Sequence, residues 1–114
     1  MSVEVALEDL PAAVAARGPA AYLVSTGEVR PRVVSVAASW VDGAVVVGAG
    51  RRTAANVAAR PEVTLLWPAG GDHPEHSLLV DGTATVDDDA GTIAVAPASA
   101  ILHRSRPGGD AATC

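Results

Sequence analysis

Phenylalanine and lysine are both missing from this chain of 114 residues, and aromatic residues make up only 3% of it. Without Phe, and with two Trp and one Tyr, the interior has to be assembled from small aliphatic side chains, which 24 Ala and 17 Val supply. Each of these removes modest apolar area from water. A domain of this size also buries only about two-thirds of its unfolded surface. A second subunit or a bound ligand is therefore expected to complete the structure. The single cysteine, Cys114, excludes an intrachain disulfide, which suits a reducing compartment or indifference to redox. Long apolar runs are lacking too: Val45 to Val47 is far too short to span a bilayer. The opening MSVEVALEDLP has no basic stretch and no apolar core, so it does not read as a signal peptide, and a cytoplasmic location is expected. The net charge of −5 argues against nucleic acid or an anionic membrane surface as the main partner.

With 49% hydrophobic and 18% charged residues, the chain reads as one globular domain over 1–106, followed by a frayed tail over 107–114. Leu7, Leu10 and Val14 recur at helical spacing, which predicts a helix from Val5 to Arg17 stopped by Gly18-Pro19. Ala20 to Thr26, Arg32 to Val41 and Ala44 to Gly48 read as strands. The dipeptide Asp42-Gly43 joins the last two in a hairpin, because both residues tolerate positive φ. Thr53 to Arg60 reads as a short helix with Thr53 as its N-cap and Pro61 as its end. Glu62 to Trp67 is a further strand, and Pro68 to His76 is a loop. Ser77 to Val86 is a strand pair or one long strand bent at Asp81-Gly82, and Thr92 to about Val95 is a strand again. Pro97 to Leu102 is left between a helical turn and an edge strand. About six strands with two short helices suggest a mainly β chain folded as a small antiparallel barrel.

The segment richest in chemistry is VVVGAGRRTAANVAAR, Val45 to Arg60. A Gly-rich turn leaves a strand and enters a helix whose first residues include two Arg and a Thr. Free backbone N–H groups, the positive helix end and charged guanidiniums then converge, as a small anion such as phosphate requires. Between Asp42 and Glu62 there is no acidic residue, although the protein as a whole is acidic. The same residues also fit surface charges around an ordinary loop. A dinucleotide fingerprint is excluded, since Thr53 stands where a third Gly belongs and Pro61 leaves too short a crossover.

From about Leu7 to Val86 the chain resembles the split-barrel flavin-binding proteins similar to pyridoxamine 5′-phosphate oxidase. The resemblance rests on the order AYLVST, RPRVVSVAASWVDG, AVVVGAGRRTAANVAARPEVTLLW and LLVDGTATV. It implies a six-stranded antiparallel split β-barrel, a homodimer, and flavin mononucleotide (FMN) or the deazaflavin F420 in a groove at the subunit interface. It also implies backbone contacts to the ring system from Val34, Ser35, Val36 and Ala37. Ala49, Gly50, Arg51, Arg52 and Thr53 would surround the phosphate, and Asn56 would brace the helix beside it. Many flavin-binding members carry a Lys three residues before that Asn; here the position is Thr53, so phosphate charge falls to Arg51 or Arg52. A member that binds F420, or no cofactor, therefore stays open. The implied chemistry is hydride transfer to or from a small molecule whose identity is beyond the sequence. A non-catalytic carrier of such a cofactor or of haem, and a structural dimer with a vestigial groove, are the rival readings.

Tyr22, Ser35 and His103 are candidate proton donors by residue type alone. His73 and His76 stand three apart, but the Pro between them breaks any helical metal face, which leaves a solvated loop and no metal. Asp87 to Asp89 lacks the length of a calcium loop and reads as a solvated turn. His103 to Arg106 is a basic stretch read as part of the tail, with folding back to add charge near an anionic cofactor as the alternative. Trp40 and Trp67 each end a strand and are expected to anchor the core or an interface.

Overall fold

The computed structural model describes residues 2–106. Seven strands and two helices follow one another: β1 (Ser2–Val5), α1 (Leu10–Arg17), β2 (Ala20–Thr26), β3 (Pro31–Val41), β4 (Ala44–Gly48), α2 (Arg51–Ala59), β5 (Glu62–Trp67), β6 (Ser77–Asp87) and β7 (Thr92–His103). Six of the strands form an antiparallel sheet in the order β7-β4-β3-β2-β5-β6, and β6 pairs back onto β7 to close it into a barrel. The tail beyond 106 lies outside the described residues.

The strands follow from alternation. In β2, Ala21, Leu23 and Ser25 point inward and are buried while Ala20, Tyr22 and Thr26 face out. In β3, Val34, Val36 and Ala38 share the inner face, as their spacing predicts. Asp42 (φ 48°) and Gly43 (φ 82°) turn the chain between β3 and β4, so the hairpin forms where expected. The interior is filled by Leu23, Val45, Val47, Leu65, Leu78, Val80, Ile93 and Val95, with Trp67 the largest fully buried side chain. β6 is one long strand whose register against β7 shifts at Asp81-Gly82. Asp81 faces Ser99 and Gly82 faces Pro97, so Ala98 is the extra residue of a bulge.

Four expectations are corrected. The first helix begins at Leu10, not Val5: Ser2–Val5 instead pairs with Ala100 to His103, and Leu7 lies in a 3-10 turn, 47% exposed. Leu10 and Val14 remain the buried stripe of α1. α2 begins at Arg51 with Gly50 as N-cap, so Thr53 lies inside the helix and caps nothing. β7 continues to His103, which makes Pro97 to Leu102 strand and removes His103 from the tail. β1 pairs alongside Ala100 to His103, so the edge character expected of that stretch is kept only by Pro97 to Ser99, which face β6 alone among the described strands.

Candidate functional site

β3 is paired unequally along its length. From Pro31 to Ala37 it pairs with β2 on one side, and among the described residues no strand pairs with its other side; β4 joins only from Ala38 to Val41. Ala38 donates its N–H to the Pro19 carbonyl at 2.7 Å, toward β2. Because backbone groups alternate in direction along an antiparallel strand, those of Val33, Ser35 and Ala37 are aimed at the open side. Backbone donors and acceptors without a ladder partner need another one. Of the four ring-contact candidates, Val34 and Val36 thus send their side chains into the barrel and their backbone groups toward β2. Ser35 and Ala37 lie on the exposed outer face with backbone toward the open edge. Beside them sit the cross-strand partners Tyr22, opposite Ser35, and Ala20, opposite Ala37. Small side chains leave a flat ledge there, bordered by a Tyr that is 40% exposed.

Arg32 lies near the start of this one-sided stretch and also lines a cavity of about 420 Å³. The β2–β3 turn (Gly27, Glu28, Val29, Arg30) forms one wall, and the face of α2 carrying Arg52, Ala55, Asn56, Ala59 and Arg60 forms the other. Arg52 and Asn56 are four residues apart and so stand on one helical face. Four guanidiniums therefore share a groove with one carboxylate, Glu28, leaving a net charge of +3 in a protein whose overall charge is −5. Among the described residues no carboxylate pairs with any of the four, although acids outnumber bases in the chain. Arg60 is fixed by donating from Nε to the Thr26 carbonyl at 2.7 Å.

The structure divides the residues expected around a phosphate. Arg52 and Asn56 line the arginine groove. Ala49, Gly50 and Arg51 line a second cavity of about 470 Å³ on the other side of α2, with Val86, Asp87, Asp88 and Thr92. Thr53 lines neither. Arg30, Arg32 and Arg60 belong to the groove and have no local signature, because they reach it from a turn, a strand and a helix end. The candidate proton donors are also separated. Tyr22 and Ser35 are neighbours, whereas His103 ends β7, with its Nδ1 3.4 Å from the Ser2 hydroxyl.

The loop after β5 is packed rather than fully solvated. Arg17 donates from Nη1 to the His76 carbonyl at 2.8 Å, and burial lowers the pKa of that guanidinium from its ordinary value. Trp67 Nε1 donates to the Gly18 carbonyl at 3.0 Å, and His73 Nε2 lies 3.3 Å from the Ala16 carbonyl. These carbonyls lie at the C-terminal end of α1, so the loop satisfies groups the helix leaves open. Among the described residues no cluster of three or more metal-ligating side chains occurs. No helix among them is long and apolar enough to cross a membrane.

No protein-family profile matches the chain. Two curated proteins, both uncharacterised, from Mycobacterium bovis and Mycobacterium tuberculosis, are 48% identical to it over 60 residues. That stretch covers 48% of this chain and 42% of each relative, so the match spans less than half their length. Among solved structures, a pyridoxamine 5′-phosphate oxidase-like protein of Listeria innocua superposes with a TM-score of 0.68 at 17% identity, covering 88% of this chain and all of that one. A FAD-binding protein of Mesorhizobium loti gives 0.66 at 13% identity, covering 90% and 96%. An F420 reductase gives 0.55 at 14% identity, covering 79% and 90%. The chain has the split-barrel fold of these flavin- and deazaflavin-binding proteins.

Proposed function

We propose that the protein binds a phosphorylated flavin-type cofactor, FMN or F420, with its phosphate in the arginine groove and its ring along the open edge of β3. The observation that carries this reading is the place of Arg32, which lies in the stretch of β3 unpaired on one side and lines the groove at once. One extended ligand with an anionic end and a hydrogen-bonding ring would use both. Arg52 and Arg32 are suited to grip phosphate oxygens bidentately, and Asn56 can donate an amide N–H from the same helical face. At the open edge, the N–H and carbonyl groups of Ser35 and its neighbours would match the donor and acceptor pattern of a heterocycle, while the Ser35, Ala37 and Ala20 ledge leaves room for a flat ring. When bound, such a cofactor supplies hydride transfer. The chain would then orient the ring, and Tyr22 is the hydroxyl best placed beside the ledge to hand a proton to a substrate.

The reading includes a homodimer. Val33 (60% exposed), Tyr22 and Val24 face outward together, with Leu66 on the adjacent strand β5, and a second copy laid over this face would cover them and shield the ring from water.

The test is a titration of the purified protein with FMN, F420, haem and riboflavin, read by absorbance and fluorescence. FMN or F420 should bind, and riboflavin, which lacks the phosphate, should bind at least tenfold more weakly, as loss of charged hydrogen bonds does. Arg52→Gln should remove that preference. Binding of none of the four would defeat the reading, and binding of haem alone would favour a haem carrier.

A further inference from the structure

The loop that joins β5 to β6 is held against the end of α1 and leaves a cavity of about 340 Å³ between them. Gly70 and His73 exchange two backbone hydrogen bonds of 2.9 Å, which closes the tip of the loop into a tight turn. Ala69 donates its N–H to the Ser77 hydroxyl at 2.9 Å, and the Arg17, Trp67 and His73 contacts described above fasten the loop to the helix end. The cavity is therefore walled by anchored groups. Its volume is at the lower end of the roughly 300–1,000 Å³ typical of small-molecule sites, enough for one ring and a short chain.

The lining is apolar at Ala20, Trp67 and Pro68 and carries one charge of each sign, Arg17 and Asp72. Arg17 is half-buried, yet among the described residues its side chain makes a single hydrogen bond, to the His76 carbonyl, and no ion pair. A guanidinium has five N–H donors, so most of them are left for a ligand or water. Asp72, at the loop tip, likewise has no cationic partner among the described residues. The C-terminal end of α1 adds partial negative charge, which disfavours a simple anion here but suits a molecule carrying both signs. Ala20 links this cavity to the ring ledge: it lines the cavity and stands opposite Ala37. Arg32 and Ala37 are five residues apart, about 17 Å along β3, so groove, ledge and cavity follow one another along β2 and β3.

We propose that the cavity under the β5–β6 loop is the substrate pocket and takes a small zwitterion, an amino carboxylate whose carboxylate pairs with Arg17 and whose ammonium pairs with Asp72. The ligand class follows from this lining alone. Its standing as substrate rests on the reading above, which lays the cofactor ring along the ledge.

The experiment titrates three probes into the protein with and without FMN: L-phenylalanine, 3-phenylpropionate, which lacks the ammonium, and phenylalaninamide, which lacks the carboxylate. Calorimetry and the fluorescence of Trp67, in the cavity wall, read binding. Phenylalanine should bind the FMN-free protein saturably and at least tenfold more tightly than either analogue. Arg17→Gln should erase its preference over phenylalaninamide, and Asp72→Asn its preference over 3-phenylpropionate. Arg17 also holds the loop, so Ala20→Leu, which fills the cavity from an exposed position on β2 and leaves that contact intact, is the second blocking variant. It should weaken phenylalanine at least tenfold. Absence of saturable binding, equal binding of the three probes, or binding that Asp72→Asn and Ala20→Leu leave unchanged overturns the site. With FMN bound, phenylalanine should still bind and shift the flavin absorption band. Exclusion of phenylalanine by FMN, or an unshifted band, overturns the substrate role. Phenylalanine binding by a protein that takes up neither FMN nor F420 overturns the cofactor reading and the substrate role with it, while the amino-carboxylate site stands.

Discussion

Arg60 ties the end of α2 to the end of β2, its Nε donating to the Thr26 carbonyl at 2.7 Å. The helix needs this because it ends without a left-handed glycine: Arg60, at its C-cap, is in an extended conformation (φ −138°), and its N–H closes onto the Asn56 carbonyl at 2.8 Å. Removing the guanidinium leaves an open carbonyl at the edge of the barrel mouth. Arg60→Ala should lower unfolding stability by about 1 kcal/mol, the usual worth of a partly exposed charged hydrogen bond. Urea denaturation reads this directly, and an unchanged midpoint would mean the contact contributes nothing.

Gly82 sits opposite Pro97 where the β6–β7 register shifts, and the approach is close. A Cβ there would stand 2.5 Å from the Ala96 carbonyl oxygen and 2.8 Å from Val95 Cγ1. A carbonyl in a sheet ladder cannot rotate aside as a flexible side chain can. Gly82→Ala is therefore expected to cost about 1–3 kcal/mol. For a domain of this length that is a fall in Tm of at least roughly 4 °C. Gly48→Ala, where a Cβ meets nothing within 4 Å, is the control and should melt close to wild type.

The difference between these two glycines is invisible in sequence, and it marks what could be read there and what could not. Local signals were legible. Asp42-Gly43 set the hairpin, alternation set β2 and the inner face of β3, and Gly18 and Pro61 bounded the helices. What depended on distant partners was not. Ser2–Val5 (SVEV) alternates, but over only four residues, too few to outweigh the helical spacing that follows, and it becomes a strand because Ala100 to His103 offers it a ladder. Pro97 argued for a strand end, yet β7 passes through it because the Ala98 bulge absorbs the irregularity. The site divided along the same line. Arg52 stands at the helix start that the Gly-rich turn marks, and Asn56, on the same helical face, came with the family resemblance. Arg30, Arg32 and Arg60 come from separate elements and meet only once the barrel closes.

Trp67 is 1% exposed, and its indole Nε1 donates to the Gly18 carbonyl, next to the turn where α1 becomes β2. Trp67→Phe keeps most of the apolar volume but orphans that carbonyl and leaves a small void. A loss of about 1–3 kcal/mol is expected from the unmade hydrogen bond alone. Because Trp40 is the other Trp and is half-buried, the variant's fluorescence should report Trp40 alone and lie to the red of wild type. A variant as stable as wild type would show that the Gly18 carbonyl is satisfied in another way.

Arg51 and Arg52 open α2, whose first turn contains no acidic residue. A cation at that end faces the positive pole of the helix dipole, which disfavours it by about 0.3–1 kcal/mol. The two arginines differ in what offsets this. Arg51 shares its cavity with Asp87 and Asp88, whereas Arg52 shares its groove with Arg30, Arg32 and Arg60. Arg52→Glu should therefore stabilise the ligand-free protein by up to about 1 kcal/mol, through the dipole and through relief of repulsion in the groove. Arg51→Glu should give no gain, since it sets a new carboxylate beside two others. The same Arg52→Glu change should abolish any preference for phosphorylated over unphosphorylated flavin. Thermal unfolding of both variants without ligand, paired with FMN and riboflavin titrations, separates these effects. Greater stability with lost phosphate preference identifies Arg52 as a residue kept for binding at the expense of the helix. A loss of stability in Arg52→Glu would show that the arginine serves the fold instead.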